Sequence, residues 1–246
     1  MLDSILAAFG MYSVLPVPQR PWTEKTMKYC ICFLPLVGGL IGAVQLAAFF
    51  VLYRRGTGVL LSGAVLSALP LLLSGGIHMD GFLDTCDAVH SWKGKEERLR
   101  ILKDPHAGAF AVIGGLVYCT LSLGVWSGAA EETILPLCLT FVLSRGLSAL
   151  TALTLPKARG DGMLRQETDP VPGGAALCMG IVSAAAAVCI VAAGGLKMLA
   201  VPAAAVLVIL YYRHMALHMF GGVTGDLAGW FLQVCELVTA AVAVLL

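Results

Sequence analysis

Long apolar segments, separated by short polar ones, run along the whole of this chain. An α-helix of about 20 apolar residues is long enough to cross the hydrocarbon core of a lipid bilayer. We therefore predict an all-α fold: a polytopic integral membrane helix bundle with about seven transmembrane helices. Their approximate ranges are 33–53, 58–75, 107–128, 133–155, 174–194, 198–213 and 226–246.

Two segments lie outside this pattern of spans. Residues 1–15 are apolar, but their first charged residue is Asp3 and they run into Pro16 and Pro18, which is not the pattern of a cleaved signal peptide. We predict an N-terminal apolar helix that either lies at the membrane interface or packs on the bundle. The polar segment 76–106 predicts a cytoplasmic helical insertion. Because no internal repeat or long linker is visible, residues 1–246 are predicted to form a single integral membrane domain.

The composition supports a membrane protein. Of 246 residues, 59% are hydrophobic and 13% charged, and the mean hydropathy of +0.88 is too high for a soluble domain of this length. The lipid bilayer is therefore an expected partner, whereas a net charge of only +1 gives no reason to expect nucleic acid. The eight cysteines contain no C-x-x-C pair, so neither disulfides nor zinc are expected. A homo-oligomer is compatible with this composition.

Basic residues are distributed unequally between the two sides of the predicted bundle. The N-terminal segment and the loops at 76–106, 156–173 and 213–225 fall on one side, together with Asp104, Asp161 and Asp226. By the positive-inside rule this side faces the cytoplasm and the C-terminus faces outward, as expected for a multi-pass protein of the cell membrane. Twelve Lys and Arg residues lie on this side, against three on the other: Arg20, Lys25, Lys28, Lys93, Lys95, Arg98, Arg100, Lys103, Lys157, Arg159, Arg165 and Arg213, against Arg54, Arg55 and Lys197.

Three carboxylates follow the second predicted span at helical spacing. Asp80, Asp84 and Asp87 stand at i, i+4 and i+7, which places them on one face of a helix, although Gly81 could interrupt that helix. Carboxylates at the edge of a hydrocarbon layer are costly to desolvate and usually functional. Oxygen ligands suit Mg²⁺, which is commonly shared with substrate phosphates. The spacing therefore predicts a magnesium site and phosphate chemistry; a solvated acidic loop is the alternative.

Other polar residues predict a site on the same side of the membrane. Asp104 precedes Pro105, which is also a common helix start. The glycine-rich turn at 221–225 leads into the last span at Asp226, and such a turn can present backbone N–H groups to a phosphate. Capping of that helix by Thr224 or Asp226 is the competing explanation. His78 and His106 flank the acids and could move protons, although a lone histidine more often forms a structural hydrogen bond.

Three arginines are candidates for binding an anion. Arg145 lies within the fourth predicted span, where it needs an anionic partner, either a carboxylate or a substrate phosphate. Arg159 and Arg165, in the following loop, could clamp a phosphate, although topology alone also favours basic residues there. Glu236 lies in the same span as Asp226 and could share its face or form a structural hydrogen bond.

Two runs resemble the motifs of one enzyme family, the cobalamin synthases (adenosylcobinamide-GDP ribazoletransferases). They are residues 76–87, with the pattern H-x-D-G-x-x-D-x-x-D, and residues 221–226, Gly-Gly-Val-Thr-Gly-Asp. The chain departs from the family's common residues at Ala88, Pro105, Ala111 and Gln233. Weaker matches follow in family order: residues 15–18, residues 35–38, Asp104 with Gly108, residues 144–146, and Arg159 with Gly162.

The resemblance implies an enzyme that joins adenosylcobinamide-GDP, a corrinoid nucleotide, to α-ribazole or its 5′-phosphate, with Mg²⁺ as cofactor and release of GMP. The active site would face the cytoplasm. The implied metal ligands are Asp80, Asp84 and Asp87, with Asp104 and Asp226 as supporting catalytic residues. The implied substrate-binding residues are His78, Arg145, Arg159, Gly221, Gly222, Thr224 and Gly225.

Two other function classes use acidic residues at a membrane. Membrane prenyltransferases and alcohol phosphotransferases carry Asp-rich motifs, but this chain has neither a second Asp-rich motif nor the D-x-x-D-G-x-x-A-R pattern. A cation or metabolite transporter could use the same acids as ion ligands. Transporters usually place such ligands at the bilayer midplane between repeats, whereas these acids fall on one side and no inverted repeat is visible. A structural scaffold leaves the acids unexplained.

Overall fold

The computed structural model describes residues 1–18, 21, 23–160 and 162–246. Across these residues it contains helices and no strand, apart from an isolated β-bridge between Lys157 and Val223. The predicted all-α fold is confirmed. The α-helices of the described residues are α1 (Leu2–Tyr12), α2 (Glu24–Met27), α3 (Leu34–Arg54), α4 (Val59–Leu73), α5 (Ile77–His90), α6 (Lys95–Ile101), α7 (Ala109–Ser127), α8 (Ile134–Thr154), α9 (Met163–Thr168), α10 (Ala175–Gly194), α11 (Ala200–Met215) and α12 (Gly225–Leu245).

In the part of the chain that the structure describes, six helical stretches are long and apolar enough to cross a membrane. The pair α4 and α5 makes a seventh if it is counted as one span, although the chain bends by 94° between the two helices. The prediction of a multi-pass membrane bundle is confirmed. The six stretches are Glu24–Arg54, Ala109–Ser127, Ile134–Thr154, Ala175–Gly194, Leu196–Phe220 and Gly225–Leu245.

The second predicted span differs from the prediction. α4 has 15 residues, which cover about 22 Å at the helical rise and fall short of a hydrocarbon core of about 30 Å. Gly75 and Gly76 follow with φ of +65° and +76°, a left-handed conformation that glycine adopts without strain. α5 then packs against α7 and α12 through Phe82 and Cys86. The first half of segment 76–106 thus belongs to the bundle, because its apolar side chains are buried between helices.

α8 is the central helix of the bundle. It packs against α3, α10 and α12, and most of its side chains are buried. Gly38 and Gly42 of α3 face it, and a Cβ atom added to Gly42 would lie 2.5 Å from the Cys138 carbonyl oxygen. Small residues therefore let the two backbones approach closely, as is common where membrane helices pack.

The N-terminal helix packs on the bundle, which is one of the two placements left open by the sequence. α1 contacts α2 and α3 and buries Ala8, Met11 and Tyr12. Just beyond it, the backbone N–H of Val14 donates a hydrogen bond of 2.9 Å to the Leu73 carbonyl oxygen at the end of α4. α1 is therefore anchored where α4 turns into α5.

The polar segments meet at one end of the bundle. The residues before α12 pair with those after α8 through the bridge between Val223 and Lys157. At the opposite end, the Lys197 ammonium donates a hydrogen bond of 2.8 Å to the Leu246 carbonyl oxygen. This agrees with the predicted grouping of the loops at 76–106, 156–173 and 213–225. Arg20 and Asp161, which were assigned to the same side, lie outside the described residues.

Candidate active site

α5 and α12 cross in close contact because both carry glycine at the crossing point. A Cβ atom added to Gly81 would lie 2.7 Å from the Cα and carbonyl oxygen of Asp226, and one added to Gly229 would lie 2.8 Å from the His78 carbonyl oxygen. No larger residue fits at either position without moving a helix. The crossing places Asp80, on α5, beside Asp226, at the start of α12. Two motifs from distant parts of the sequence are thereby combined.

Asp84 lies one helical turn beyond Asp80, within this acidic group. Its partial burial disfavours a negative charge, and repulsion from Asp80, Asp226, Asp87 and Asp104, in that order, adds to the effect. Like charges held this close are stabilised by a cation or by binding a proton. The mutual repulsion within this group therefore favours the binding of a cation.

A cavity of about 320 Å³ lies against the crossing. Its volume falls within the range of pockets for small ligands. Asp80 and Asp226 border it together with Thr224 and Gly225, and basic side chains border it as well. Its polar lining residues are Tyr12, His78, Asp80, Ser148, Lys157, Arg159, Arg165, Glu167, Thr224 and Asp226. An acidic and a basic group therefore share one concave site.

The basic residues are brought to the cavity by the segment after α8. This segment pairs with the glycine-rich turn: the Ala158 N–H donates to the Val223 carbonyl oxygen at 3.0 Å, and the Val223 N–H donates to Pro156 at 2.8 Å. Arg159 donates to the carbonyl oxygen of Leu99 and lies close enough to Asp226 to attract its carboxylate. The pairing thus fixes a guanidinium beside an acid at the cavity wall.

The glycine-rich turn differs from the predicted phosphate cradle. A π-helical turn, Ala216–Phe220, precedes it, and the N–H groups of Gly221 and Gly222 both donate to the Ala216 carbonyl oxygen. A Cβ atom on Gly222 would lie 2.5 Å from the Ala158 nitrogen. These two glycines therefore serve backbone packing, and neither lines the cavity. The part that faces the cavity is Thr224 and Gly225, where the first N–H groups of α12 lack intrahelical partners.

Thr224 also caps α12, which is the competing explanation raised by the sequence. Its Oγ1 accepts a hydrogen bond of 3.2 Å from the Leu227 N–H. Capping and a position on the cavity wall are compatible, because the cap fixes the direction in which the helix N-terminus points.

Asp87, predicted as a metal ligand, is bonded to α7. Its Oδ2 accepts from the Gly108 N–H at 2.6 Å and its Oδ1 from the Ala111 N–H at 2.9 Å. Both oxygens thus stabilise the N-terminus of α7. Asp104 lies in the exposed turn before that helix, where hydrogen bonds from the backbone and ring of His106 lower the pKa of its carboxyl. None of Asp87, Asp104 and His106 lines the cavity.

Arg145 is buried in α8, and of its two expected partners the structure places the carboxylate. Its guanidinium pairs with Glu236 of α12 and lies over the ring of Phe141, 5.5 Å from its centroid. Ser144 donates a further hydrogen bond of 3.2 Å to Glu236. Arg145 does not line the cavity. The pair joins α8 to α12, and Glu236 supplies an anionic partner that Arg145 needs within the bundle.

The acidic group fits Mg²⁺ only with ligands supplied from outside the protein. Among the described residues, no three His, Cys, Asp or Glu side chains are close enough to hold one metal ion. The predicted trio Asp80, Asp84 and Asp87 thus does not form a complete site. Mg²⁺ generally uses one or two carboxylates together with water and substrate phosphates. Asp80 and Asp226 at the cavity, with Asp84 beside them, match that oxygen-only donor set.

Four polar residues of the cavity wall carry no motif that the sequence analysis selects: Tyr12, Ser148, Lys157 and Glu167. Tyr12 ends an apolar helix and carries no motif. Lys157 is one of twelve basic residues on the predicted cytoplasmic side. In the structure its ammonium donates to the carbonyl oxygens of Ala152 and Leu155, and burial lowers its pKa. Glu167 stands in a polar segment, which predicts exposure. The one feature of the sequence that draws attention to this segment is Pro156, which precedes Lys157 at the end of a predicted span.

Comparisons with known proteins agree with this combination of motifs. The family model described as cobalamin-5-phosphate synthase matches residues 4–244. Some proteins named adenosylcobinamide-GDP ribazoletransferase are similar to this chain along nearly their whole length. That of Lachnoclostridium phytofermentans is 38% identical over 99% of this chain and 94% of its own. That of Clostridium botulinum (strain Alaska E43 / Type E3) is 27% identical over 97% and 95%. No solved structure matches significantly. With both motifs at one cavity and the match spanning the bundle, this chain belongs to the cobalamin-5-phosphate synthase family.

Proposed function

We propose that this protein, by its family a transferase of cobalamin synthesis, joins adenosylcobinamide-GDP to α-ribazole or α-ribazole 5′-phosphate and releases GMP. The relatives carry the name of this transfer. The observation that carries the proposal is the close crossing of α5 and α12, which brings the Asp80 and Asp226 motifs to one cavity. A pyrophosphate substrate requires such a site, in which acidic side chains can hold a metal ion and basic side chains can bind phosphate.

Mg²⁺ is the proposed cofactor, held by Asp80 and Asp226 and, directly or through water, by Asp84. When bound, it neutralises negative charge on the pyrophosphate and on the departing GMP. The carboxylates keep their positions because α5 and α12 are locked at Gly81 and Gly229.

The basic wall of the cavity binds the pyrophosphate. Arg159 is fixed by its bond to the Leu99 carbonyl oxygen, and Arg165 by bonds to Gly160 and Asp169. A guanidinium suits bidentate contact with phosphate oxygens. The N-terminus of α12 at Gly225 adds backbone N–H groups and the positive end of the helix dipole. Because these groups are fixed before substrate arrives, they stabilise developing charge without reorganisation.

The transfer exchanges one bond at phosphorus. A ribose hydroxyl oxygen of α-ribazole attacks the phosphorus nearer the cobinamide, and the bond from that phosphorus to the bridging oxygen breaks. GMP leaves with the electron pair, and the hydroxyl proton passes to a carboxylate of the cavity. Positioning and electrostatics supply most of the catalysis in such transfers.

The reaction is tested with purified protein in detergent, adenosylcobinamide-GDP, Mg²⁺ and either α-ribazole or its 5′-phosphate. We expect GMP and a completed cobamide by chromatography, loss of both in EDTA, and recovery when Mg²⁺ is added back. Omitting the ribazole controls for hydrolysis and should release no GMP. Folded protein that releases no GMP under any of these conditions would contradict the proposal. Prenyl transfer and ion flux into proteoliposomes would then be measured instead.

We also infer that the cavity opens to the cytoplasm. The support is the excess of basic residues in the loops at its end of the bundle. The C-terminus, next to Lys197 at the opposite end, is then outside. A C-terminal alkaline phosphatase fusion should be active and a C-terminal GFP fusion dark; the reverse pattern would invert the topology.

A further inference from the structure

A buried carboxyl lies on the cavity wall. It belongs neither to the acidic group of α5 and α12 nor to the ion pair between Arg145 and Glu236. Glu167, on α9, is 3% exposed and lines the cavity. The hydroxyl of Tyr12 donates a hydrogen bond of 2.6 Å to its Oε2. The Tyr12 ring stacks on that of His78 with 5.9 Å between centroids. The Glu167 carboxyl is therefore held by Tyr12 of α1. The ring of Tyr12 in turn contacts His78 on α5, the helix that carries Asp80.

Glu167 has no cationic partner among the described residues. Arg165, on its own helix, is bonded to Asp169 and Gly160, and Lys157 to backbone carbonyl oxygens. Of the neighbouring elements, α1 contributes Tyr12, and the chain before α3 contributes the thiol of Cys30. The charged side chains of α2, Glu24 and Lys25, are exposed. A buried carboxyl whose one hydrogen-bond donor is neutral is unusual without a functional reason.

We propose that Glu167 is the general base of the transfer, accepting the proton of the attacking ribose hydroxyl. The proposal rests on the transferase reaction proposed above. The aspartates at the crossing are less suited to this task, because a bound cation would occupy their lone pairs and reduce their basicity. Glu167 shares the cavity with them, while Tyr12 fixes one of its oxygens and leaves the other to the substrate.

The proton balance of the step is complete with this assignment. As the hydroxyl oxygen bonds to phosphorus, its proton moves to the Glu167 carboxylate, and the bond from phosphorus to the leaving GMP oxygen breaks. The carboxylic acid then returns the proton to water, which restores the carboxylate for the next turnover. No oxidant or further reactant is needed.

The electrostatics of Glu167 suit this role. Burial raises the pKa of its carboxyl to about 7, although the Tyr12 hydrogen bond opposes the rise. A general base is most effective when its pKa lies near the working pH, because it is then both available and sufficiently basic.

The test is the pH dependence of kcat/KM in the complete protein, measured by GMP release. In the wild type we expect the rate to rise up to about pH 7 and then level off. Glu167→Gln should reduce the rate by about 10²–10⁴-fold and remove this inflection. Tyr12→Phe should keep the inflection but move it to higher pH, because the lost hydrogen bond favoured the charged carboxylate. Glu24→Gln, an exposed acid outside the cavity, is the matched control and should follow the wild type.

Two further measurements separate catalysis from structure. Thermal unfolding and equilibrium binding of adenosylcobinamide-GDP should be unchanged in Glu167→Gln. An active wild type with an unmoved inflection in both Glu167→Gln and Tyr12→Phe would overturn this inference alone. A Glu167→Gln variant that weakens binding but keeps kcat would also overturn it, since the carboxyl would then be a recognition group. A wild type that forms no GMP would overturn the proposed function and this inference together.

Discussion

Replacing Asp84 by Asn is expected to reduce GMP release by about 10²–10³-fold, the usual loss when one electrostatic element of a phosphate or oxyanion site is removed. The amide is nearly isosteric with the carboxylate, but it carries no charge to hold a divalent cation beside Asp80 and Asp226. Initial rates of GMP release at saturating Mg²⁺ measure the effect.

The same replacement should not destabilise the fold. The charge of Asp84 is disfavoured by burial and by Asp80, Asp226, Asp87 and Asp104, so its removal relieves repulsion in the metal-free protein. We expect the midpoint of thermal unfolding in EDTA to stay or rise, in keeping with the general conflict between stability and function at such sites. Full activity of Asp84→Asn would show that the acidic group is structural and that the proposed mechanism is wrong.

Asp87→Asn is the matched control on the same helix. Both Asp87 oxygens accept backbone N–H groups of α7, and an amide can replace only one of these acceptors. We expect a loss of about 1–2 kcal/mol in the free energy of unfolding with most of the activity kept. Asp84→Asn should therefore lose activity and keep its stability, whereas Asp87→Asn should keep most of its activity and lose stability.

Arg145→Met is expected to lower the free energy of unfolding by about 3–5 kcal/mol, because it leaves the Glu236 carboxylate buried without its cation. Glu236→Met should cost a similar amount for the converse reason. Thermal unfolding of the detergent-solubilised variants measures both effects.

The double variant Arg145→Met with Glu236→Met distinguishes a structural pair from a substrate-binding arginine. Replacing both charges by apolar side chains removes the unpaired group, so stability should return towards the wild type. The double variant should also recover its binding of adenosylcobinamide-GDP. A stable Arg145→Met variant that loses only substrate affinity would instead show that Arg145 reaches the pyrophosphate.

Much of the bundle could be predicted from hydropathy, because each span must satisfy its own backbone hydrogen bonds within a continuous apolar helix. The break between α4 and α5 was less visible. Its signals were Gly75 and Gly76, but the 94° bend also depends on Phe82 and Cys86 finding a place against α7 and α12. That packing involves residues far away in the sequence.

The site shows the same division between local and long-range information. Helical spacing predicted that the three acids of α5 share one helix face, yet it could not separate Asp84 from Asp87. The difference arises because Gly108 and Ala111 bring their N–H groups to Asp87. The glycine-rich turn was selected as a phosphate cradle, whereas Gly221 and Gly222 donate to Ala216.

By itself, the sequence determined the membrane class, the approximate spans, the two motifs and the family they resemble, since these are properties of composition and local spacing. Only the tertiary structure decided which polar groups meet. Arg145 pairs with Glu236, and the close approach of α5 and α12 at two glycines brings Asp80 beside Asp226. Glu167 is buried and accepts a hydrogen bond from Tyr12. The physical reason is that a charge in an apolar bundle must find its partner on another helix, and the choice of partner depends on how the helices pack.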